Sequence, residues 1–423
     1  MAEFKIKNSQ IRLKPTLSLF DATAINVGAI IGAGIFVVTG IVAGLAGSAM
    51  LVSLVLAAVV SLFTALSFAE LAARLPQEGG AYEFAHILVS PFSGFIAGWM
   101  WVISNTFVGA AVALGFSSYL SALIPSVPIK PMAVAVTAAF AALNIVGTKS
   151  SANFNNILVV AKILILFFFI GIGSFHLHIA NLSPFYAFEP GVLYGAYFVF
   201  FAFSGFTRIS LMSGEVKNAR VNVPRSIILS LIISTIIYLG VGFVALGLIG
   251  PARLGQSTSP LADASRAIGS TLVSQIITIG GLIATASVLL TTILGVSRMS
   301  FAMAENRDLP WFLGKIHPRL DTPYPAIILS SILMVILVFV SDLSQIVAIS
   351  TLSSLIYYGI GNFSALKLKA GQRMYPQIIP VLGIITCASF AVIVIFKSPQ
   401  AWIIGLAIVL AGFIFYRFGR KRN

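Results

Sequence analysis

The chain has 423 residues, of which 58% are hydrophobic and only 9% are charged. A soluble domain carries roughly 25% charged residues, and a disordered chain has low hydrophobicity, so this composition excludes both classes. The net charge of +14 is typical either of a nucleic-acid-binding protein or of a membrane protein whose basic residues collect in cytoplasmic loops. The single cysteine, Cys387, excludes an intramolecular disulfide.

The apolar runs along the chain predict an all-α polytopic membrane protein. A helix that crosses a bilayer needs about 20 mostly apolar residues, and these continuous runs lack the alternation of transmembrane β-strands. The first apolar stretch is too long for a cleavable signal peptide, so we expect it to be retained as the first span. The sequence predicts twelve spans, at residues 18–43, 48–73, 91–123, 131–148, 155–175, 190–214, 225–249, 271–303, 325–341, 343–366, 377–396 and 400–417.

The distribution of the basic residues predicts the orientation of these spans. With the N-terminus inside, 20 of the 26 Lys and Arg residues lie on the cytoplasmic side. Four of the other six lie on the outside, namely Lys130, Arg253, Arg266 and Lys397. The remaining two, Lys162 and Arg208, lie within spans. This asymmetry predicts a multi-pass protein of the cell membrane with both termini in the cytoplasm. It also accounts for the positive charge without a nucleic-acid partner.

Two spans contain residues that weaken a helix in its middle. Span one carries three glycines between Gly28 and Gly34, and span six carries Ser204 and Gly205 between phenylalanines. Each glycine lowers helix stability by roughly 1 kcal/mol relative to alanine. A helix interruption inside a membrane is tolerated only where the backbone lines a cavity. Close packing of helices through small residues would also account for such clusters.

The positions of the two clusters favour interruption. Spans one and six are the first members of two five-span sets, and an odd number of spans gives the second set the opposite orientation. Interruptions at matching positions of two inverted halves indicate a transporter binding site. The free N–H groups at such a break favour a carboxylate and the free carbonyls favour an ammonium, so the pattern predicts an amino acid as the ligand.

Four stretches make the sequence resemble the amino acid–polyamine–organocation (APC) superfamily of secondary transporters. The resemblance implies a LeuT-like fold, with a 5+5 inverted repeat, two further helices, and breaks in helices 1 and 6. The implied organisation is a cytoplasmic tail at 1–17, repeat one at 18–175, repeat two at 190–366, two helices at 377–417 and a cytoplasmic tail at 418–423. The stretches are GAIIGAGIF at 28–36, FAELAARLPQEGGAY at 68–82, GFTRISLMSGEVKNARVNVPR at 205–225 and RMSFAMAENRDLPWFLGKIHPRLDTP at 298–323.

The resemblance also implies which residues bind the substrate. The carboxylate would lie at the turn of span one and the ammonium near the carbonyls of span six, where Phe201 matches an aromatic gate position. Asn105 in span three matches a substrate-contacting asparagine of some members. The implied substrate-binding residues are Ile31, Gly32, Ala33, Gly34, Asn105, Phe201, Ala202, Phe203, Ser204 and Gly205.

Lys162 lies in predicted span five, where a lysine is costly and indicates function. Its position about two turns from the cytoplasmic end also allows the stem to snorkel to the interface. In proton-coupled members of the superfamily, a lysine of span five takes the place of a coupling cation. The resemblance therefore implies that Lys162 couples transport to protons, beside the Gly28 carbonyl and the Ser287 hydroxyl. Burial disfavours the charged form of a lysine, which suits reversible proton binding.

No carboxylate lies in the middle of a predicted span, and this favours neutral amino acids over arginine or polyamines. The sequence thus predicts proton-coupled symport of neutral amino acids by alternating access, with no cofactor, no metal and no enzymatic activity. Acidic substrates also remain open, because the positive charge of Arg208 beside the second break could bind them. An exchanger without proton coupling, a carrier of cationic or acidic amino acids or polyamines, and a channel or amino acid sensor on the same fold also remain open.

Overall fold

The protein is a bundle of apolar helices, and a computed structural model describes its residues 15–32, 34–76, 79–146, 152–369, 371 and 373–419. Fifteen α-helices occur among the described residues. They are α1 (Leu19–Ile30), α2 (Thr39–Ala46), α3 (Met50–Arg74), α4 (Ala81–Leu88), α5 (Pro91–Leu123), α6 (Ile129–Val146), α7 (Ala152–Gly173), α8 (Pro190–Phe203), α9 (Ala219–Gln256), α10 (Pro260–Arg266), α11 (Thr271–Glu305), α12 (Tyr324–Val340), α13 (Leu343–Leu366), α14 (Ile378–Lys397) and α15 (Pro399–Gly419).

Ten segments of the described chain are long and apolar enough to cross a membrane. The first of them, Leu19–Arg74, runs from α1 to α3, where the sequence predicts two spans. The apolar helix α12 is shorter, with 17 residues. The predicted class, an all-helical polytopic membrane protein, is confirmed, and the exact number of twelve spans stays a prediction.

Several helix boundaries differ from the predicted spans for local reasons. Helix α9 is kinked near the predicted end of its span at residue 249, because Gly250 takes a positive φ of 71° and Pro251 follows it, and a further helical segment runs from the kink to Gln256. Two short helices, α4 and α10, lie between predicted spans and were not expected. Helices α5 and α11 are long, with 33 and 35 residues, in line with the extended spans three and eight.

The helices pack in two groups. Helices α1, α2 and α3 pack with α8 and α9, whereas α5, α6, α11 and α12 pack with one another. Helix α13 contacts both groups, since it packs against α5 on one side and against α3 and α8 on the other. Helix α7 likewise contacts α1, α9 and α11. Helices α7 and α13 therefore connect the two groups.

The first glycine cluster interrupts its span. Helix α1 begins with a capping box in which Ser18 Oγ accepts from Asp21 N–H and Asp21 Oδ2 accepts from Ser18 N–H. It ends at Ile30, and a π-helix at Gly34–Val38 leads into α2. The break leaves carbonyls at the end of α1 without partners from a following helical turn.

The second cluster interrupts the span that contains α8. This helix ends at Phe203, four residues in turn conformation follow, and a 3₁₀-helix occupies Arg208–Glu215. The 3₁₀-helix receives a cap from the other broken span, because Ile209 N–H donates to Asn26 Oδ1 of α1 at 2.9 Å. The two interrupted spans are thus joined by a buried hydrogen bond.

The two breaks lie directly against each other. A Cβ added to Gly205 would lie 2.5 Å from Ala29 C and 2.6 Å from Ile30 N, so the backbones of the two spans are in contact. A Cβ added to Gly34 would lie 2.5 Å from Ala202 Cβ. These glycines therefore permit a close approach of the two broken helices, and this explains why both clusters contain them.

We expect Gly205→Ala to destabilise the protein by about 1–3 kcal/mol, because the new methyl group would overlap the backbone of α1. The measurement is thermal unfolding in detergent. Gly171→Ala in α7 is the matched control, since its Cβ would meet no atom within 4 Å. Equal stability of the two variants would contradict the close contact of the breaks.

Candidate substrate and coupling site

Lys162 of α7 reaches the end of the first broken helix. Its side chain is fully buried, and Nζ donates to Gly28 O at 3.4 Å, Ile31 O at 3.4 Å and Ser287 Oγ at 3.0 Å. Ser287 belongs to α11, so this ammonium connects three helices. Gly28 and Ser287 are the two neighbours that the resemblance implies, and Ile31 O is a third acceptor that it does not.

The electrostatics of this contact follow from the helix end. The C-terminal end of a helix carries a partial negative charge from its unpaired carbonyls. An ammonium has three N–H donors, and the three acceptors around Lys162 match that number. The positive charge is thus compensated by backbone dipoles and a hydroxyl rather than by a carboxylate.

Tyr238 of α9 joins the two breaks through one hydroxyl group. Its O–H lies 2.7 Å from Ile30 O and 3.1 Å from Ala202 O, and it donates its single proton between these two carbonyls. The side chain is fully buried, so both carbonyls are paired inside the protein. Sequence reasoning missed Tyr238, because a tyrosine in an apolar span resembles an ordinary core residue.

The carbonyls of the second break also have donors from the protein. Ser204 Oγ donates to Phe201 O at 2.8 Å, and Tyr358 of α13 donates to Ser204 O at 2.5 Å. Phe201 O also accepts from Ser204 N–H at 3.2 Å, so both of its lone pairs are used. Of these two carbonyls, Ser204 O is the one that can accept a second hydrogen bond from a ligand. Tyr358 is a second residue that the sequence did not indicate.

The turn after α1 offers fewer free N–H groups than the resemblance implies. Ile31 N–H donates to Val27 O at 2.8 Å and continues the helical pattern. Within the described part of the chain, the N–H of Gly32 has no acceptor. Gly34 begins the π-helix, whereas Ala33 lies outside the described residues.

The remaining predicted residues surround the second break. Phe201 is buried with 5% exposure, and Phe203 packs its ring 5.1 Å from that of Tyr238. Asn105 of α5 donates from Nδ2 to Trp101 O at 3.0 Å and accepts at Oδ1. The structure thus brings the described candidates of spans one, three and six to one region. It leaves their part in binding as a prediction.

A separate cavity of about 630 Å³ lies beyond the second break, and none of the candidate residues lines it. Its walls come from the segment before α1, from Pro76, and from the connection between the 3₁₀-helix and α9. Two arginines, Arg220 and Arg225, belong to this lining. The cavity is therefore distinct from the region where the two breaks meet.

Residues 17–418 of the chain match the amino acid permease family. The chain belongs to this family. The match extends from just before α1 into α15, so it includes both breaks, and it confirms the resemblance to APC superfamily transporters. The protein is a multi-pass membrane protein of an amino acid transport family.

Three relatives show that the family's substrates vary. The chain is 32% identical to a branched-chain amino acid permease of Bacillus subtilis, over 97% of this chain and 94% of that protein. It is 30% identical to a methylthioribose transporter of the same organism, over 97% of this chain and 95% of that protein. It is 31% identical to cationic amino acid transporter 4 of Mus musculus, over 88% of this chain and 62% of that protein. The three relatives are named for different substrates, so their names do not identify the substrate of this permease. That substrate must be argued from the permease's own residues.

Removal of the bridging hydroxyl in Tyr238→Phe should destabilise the permease by about 1–3 kcal/mol, because Ile30 O and Ala202 O lose their buried donor. Thermal unfolding in detergent measures this effect. The control is Tyr194→Phe in the same group of helices, at a half-buried position of α8. A Tyr238→Phe protein as stable as the control would show that the hydroxyl does not hold the breaks together.

Proposed function

We propose that this permease is a secondary active transporter that carries neutral amino acids into the cell together with a proton. The proposal includes twelve spans, a LeuT-like arrangement of two inverted five-span repeats, and both termini in the cytoplasm. The observation that carries it is the contact of Lys162 Nζ with Gly28 O, Ile31 O and Ser287 Oγ. This contact connects a titratable side chain to the break where the substrate carboxylate would bind.

Proton binding at Lys162 would change the hydrogen bonds at the end of α1. A protonated lysine has three donors for its three acceptors, whereas a neutral amine has two donors and a lone pair that a carbonyl repels. Loss of the proton therefore weakens one of the contacts to Gly28 O, Ile31 O or Ser287 Oγ. The position of the first break thus depends on the protonation state, and this is what coupling requires.

The packing of the helices supports alternating access. In the proposed cycle, the group formed by α1, α2, α3, α8 and α9 moves against the group formed by α5, α6, α11 and α12. Both breaks belong to the first group, and Asn26 and Tyr238 hold them together. Lys162 reaches from α7 to both groups, because its acceptors lie on the α1 break and on α11.

The side chains near the breaks support a neutral substrate. Phenylalanine, alanine, serine and asparagine predominate there, as at Phe201, Ala202, Ser204 and Asn105. None of the described carboxylates forms an ion pair with Lys162 or Arg208. A dicationic substrate would need such a counter-charge, and the branched-chain specificity named for one relative agrees with a neutral substrate.

A second candidate function is exchange of amino acids without proton coupling. It is favoured by the complete burial of Lys162 and by its three satisfied donors, because such a lysine can act as a permanent structural cation. In that case the lysine would hold α1 in every state of the cycle. The two candidates differ in their response to a proton gradient.

The decisive experiment is uptake of labelled leucine into proteoliposomes with and without an inward proton gradient. We expect the gradient to stimulate uptake several-fold in the wild type and not in Lys162→Ala. Lys130→Ala is the control, because Lys130 Nζ donates to Phe339 O at the surface. Gradient-independent uptake by the wild type would favour the exchanger and exclude the coupling role of Lys162.

Competition by a panel of amino acids tests the substrate class. We expect leucine, isoleucine and valine to reduce uptake more strongly than arginine or putrescine, because the described site offers no carboxylate to a second cation. Counterflow from preloaded proteoliposomes should also occur, since a carrier exchanges its substrate and a sensor does not. Strongest competition by arginine would show that the neutral assignment is wrong.

A further inference from the structure

Arg208 is a second positive charge within the membrane, and it lies next to the second break. Its N–H donates to Gly205 O at 3.1 Å, so it is the first residue of the 3₁₀-helix that follows the break. Its guanidinium reaches across to α5, where NH2 donates to Asn105 Oδ1 at 3.3 Å. The charge therefore lies beside a candidate substrate residue, at the boundary of the two helix groups.

The guanidinium is held in place by shape rather than by charge. It lies over the ring of Trp101, with Cζ 5.6 Å from the ring centroid. It also lies against the bare backbone of α11, because a Cβ on Gly295 would be 2.6 Å from Arg208 NH1. Packing of the flat guanidinium against an indole ring and a glycine fixes the position of its charge.

This charge has no counter-charge among the described residues. The ion pairs there are His86–Asp308 and Arg266–Asp263, and neither involves Arg208. Its hydrogen-bonded side-chain partner, Asn105, is neutral. An arginine keeps its charge in proteins, and the partly buried Arg208 is screened less than a charge on the protein surface. The positive potential of Arg208 therefore extends into the space around Asn105.

We propose that Arg208 is a specificity-determining residue that excludes substrates with a positively charged side chain. The proposal rests on amino acid transport through the region where the breaks meet. A zwitterionic substrate adds no net charge there, whereas a lysine-like side chain brings a like charge close to the guanidinium. Repulsion between like charges a few ångströms apart in protein corresponds to an affinity difference of about tenfold or more.

Norleucine and lysine form the appropriate pair of probes, because they have the same four-carbon side chain and differ in the terminal ammonium. The affinity of each probe is measured by its competition against the uptake of labelled leucine in proteoliposomes. The wild type should bind lysine at least about tenfold more weakly than norleucine. Arg208→Gln should reduce that preference for norleucine over lysine by about tenfold, and Arg208→Lys should retain the wild-type preference.

Glutamine and glutamate supply a test of sign. If Arg208 acts through its charge, Arg208→Gln should weaken glutamate relative to glutamine, opposite to its effect on lysine relative to norleucine. If the substitution acted only by changing the shape of the cavity, its effects on the two pairs of ligands would not be opposite. Arg220→Gln is the control, since this arginine is exposed and lies in the lining of the separate cavity.

The outcomes separate this proposal from the proposed function. A wild type that takes up no neutral amino acid overturns the proposed function. If the wild type takes up leucine and binds lysine with the same affinity as norleucine, the charge exclusion alone is overturned. This comparison needs no variant. Arg208→Gln protein that takes up leucine with the wild-type lysine-to-norleucine ratio also overturns it. If Arg208→Gln does not fold, stabilisation of the wild type against heat by norleucine but not by lysine supports the proposal.

Discussion

The need to pair every backbone polar group inside a membrane governs the arrangement of this permease. An unpaired carbonyl in hydrocarbon costs several kcal/mol, because no water replaces the missing partner. Two spans are nevertheless interrupted, and their freed carbonyls receive donors from other helices, including Lys162, Tyr238 and Tyr358. The breaks are therefore stable only because α7, α9 and α13 bring these side chains to them.

In the proposed transport cycle, this dependence would allow the region to move. A continuous helix holds its hydrogen bonds within itself, whereas each break relies on donors from elsewhere in the bundle. Tyr238 and Asn26 join broken spans of the same helix group, so in the proposed cycle they would keep that group together as one body. Lys162 and Arg208 instead reach across to α11 and α5, in the other group. In the proposed alternating-access cycle, the contacts that change are therefore expected at the two cations.

The sequence predicted the all-helical membrane class, the family and the places of the two interruptions, because long apolar runs are typical of membrane spans and mid-span glycines weaken a helix. It also singled out Lys162, since a charge in an apolar span is conspicuous. It could not indicate Tyr238 or Tyr358, because a tyrosine that pairs a distant carbonyl looks the same as one in a core. Nor could it predict that Gly205 lies against Ala29, a contact made between distant parts of the chain.

The two membrane cations differ in how their charge is compensated, and this difference suggests distinct roles. Three acceptors surround Lys162 Nζ, two of them carbonyls at the negative end of α1, so its field is largely cancelled close to its source. Arg208 has a neutral amide and an indole face, which leave most of its charge uncompensated. A compensated cation acts on the atoms that it touches and is suited to control the position of a helix end. An uncompensated cation acts at a distance and is suited to discriminate among the charges of ligands.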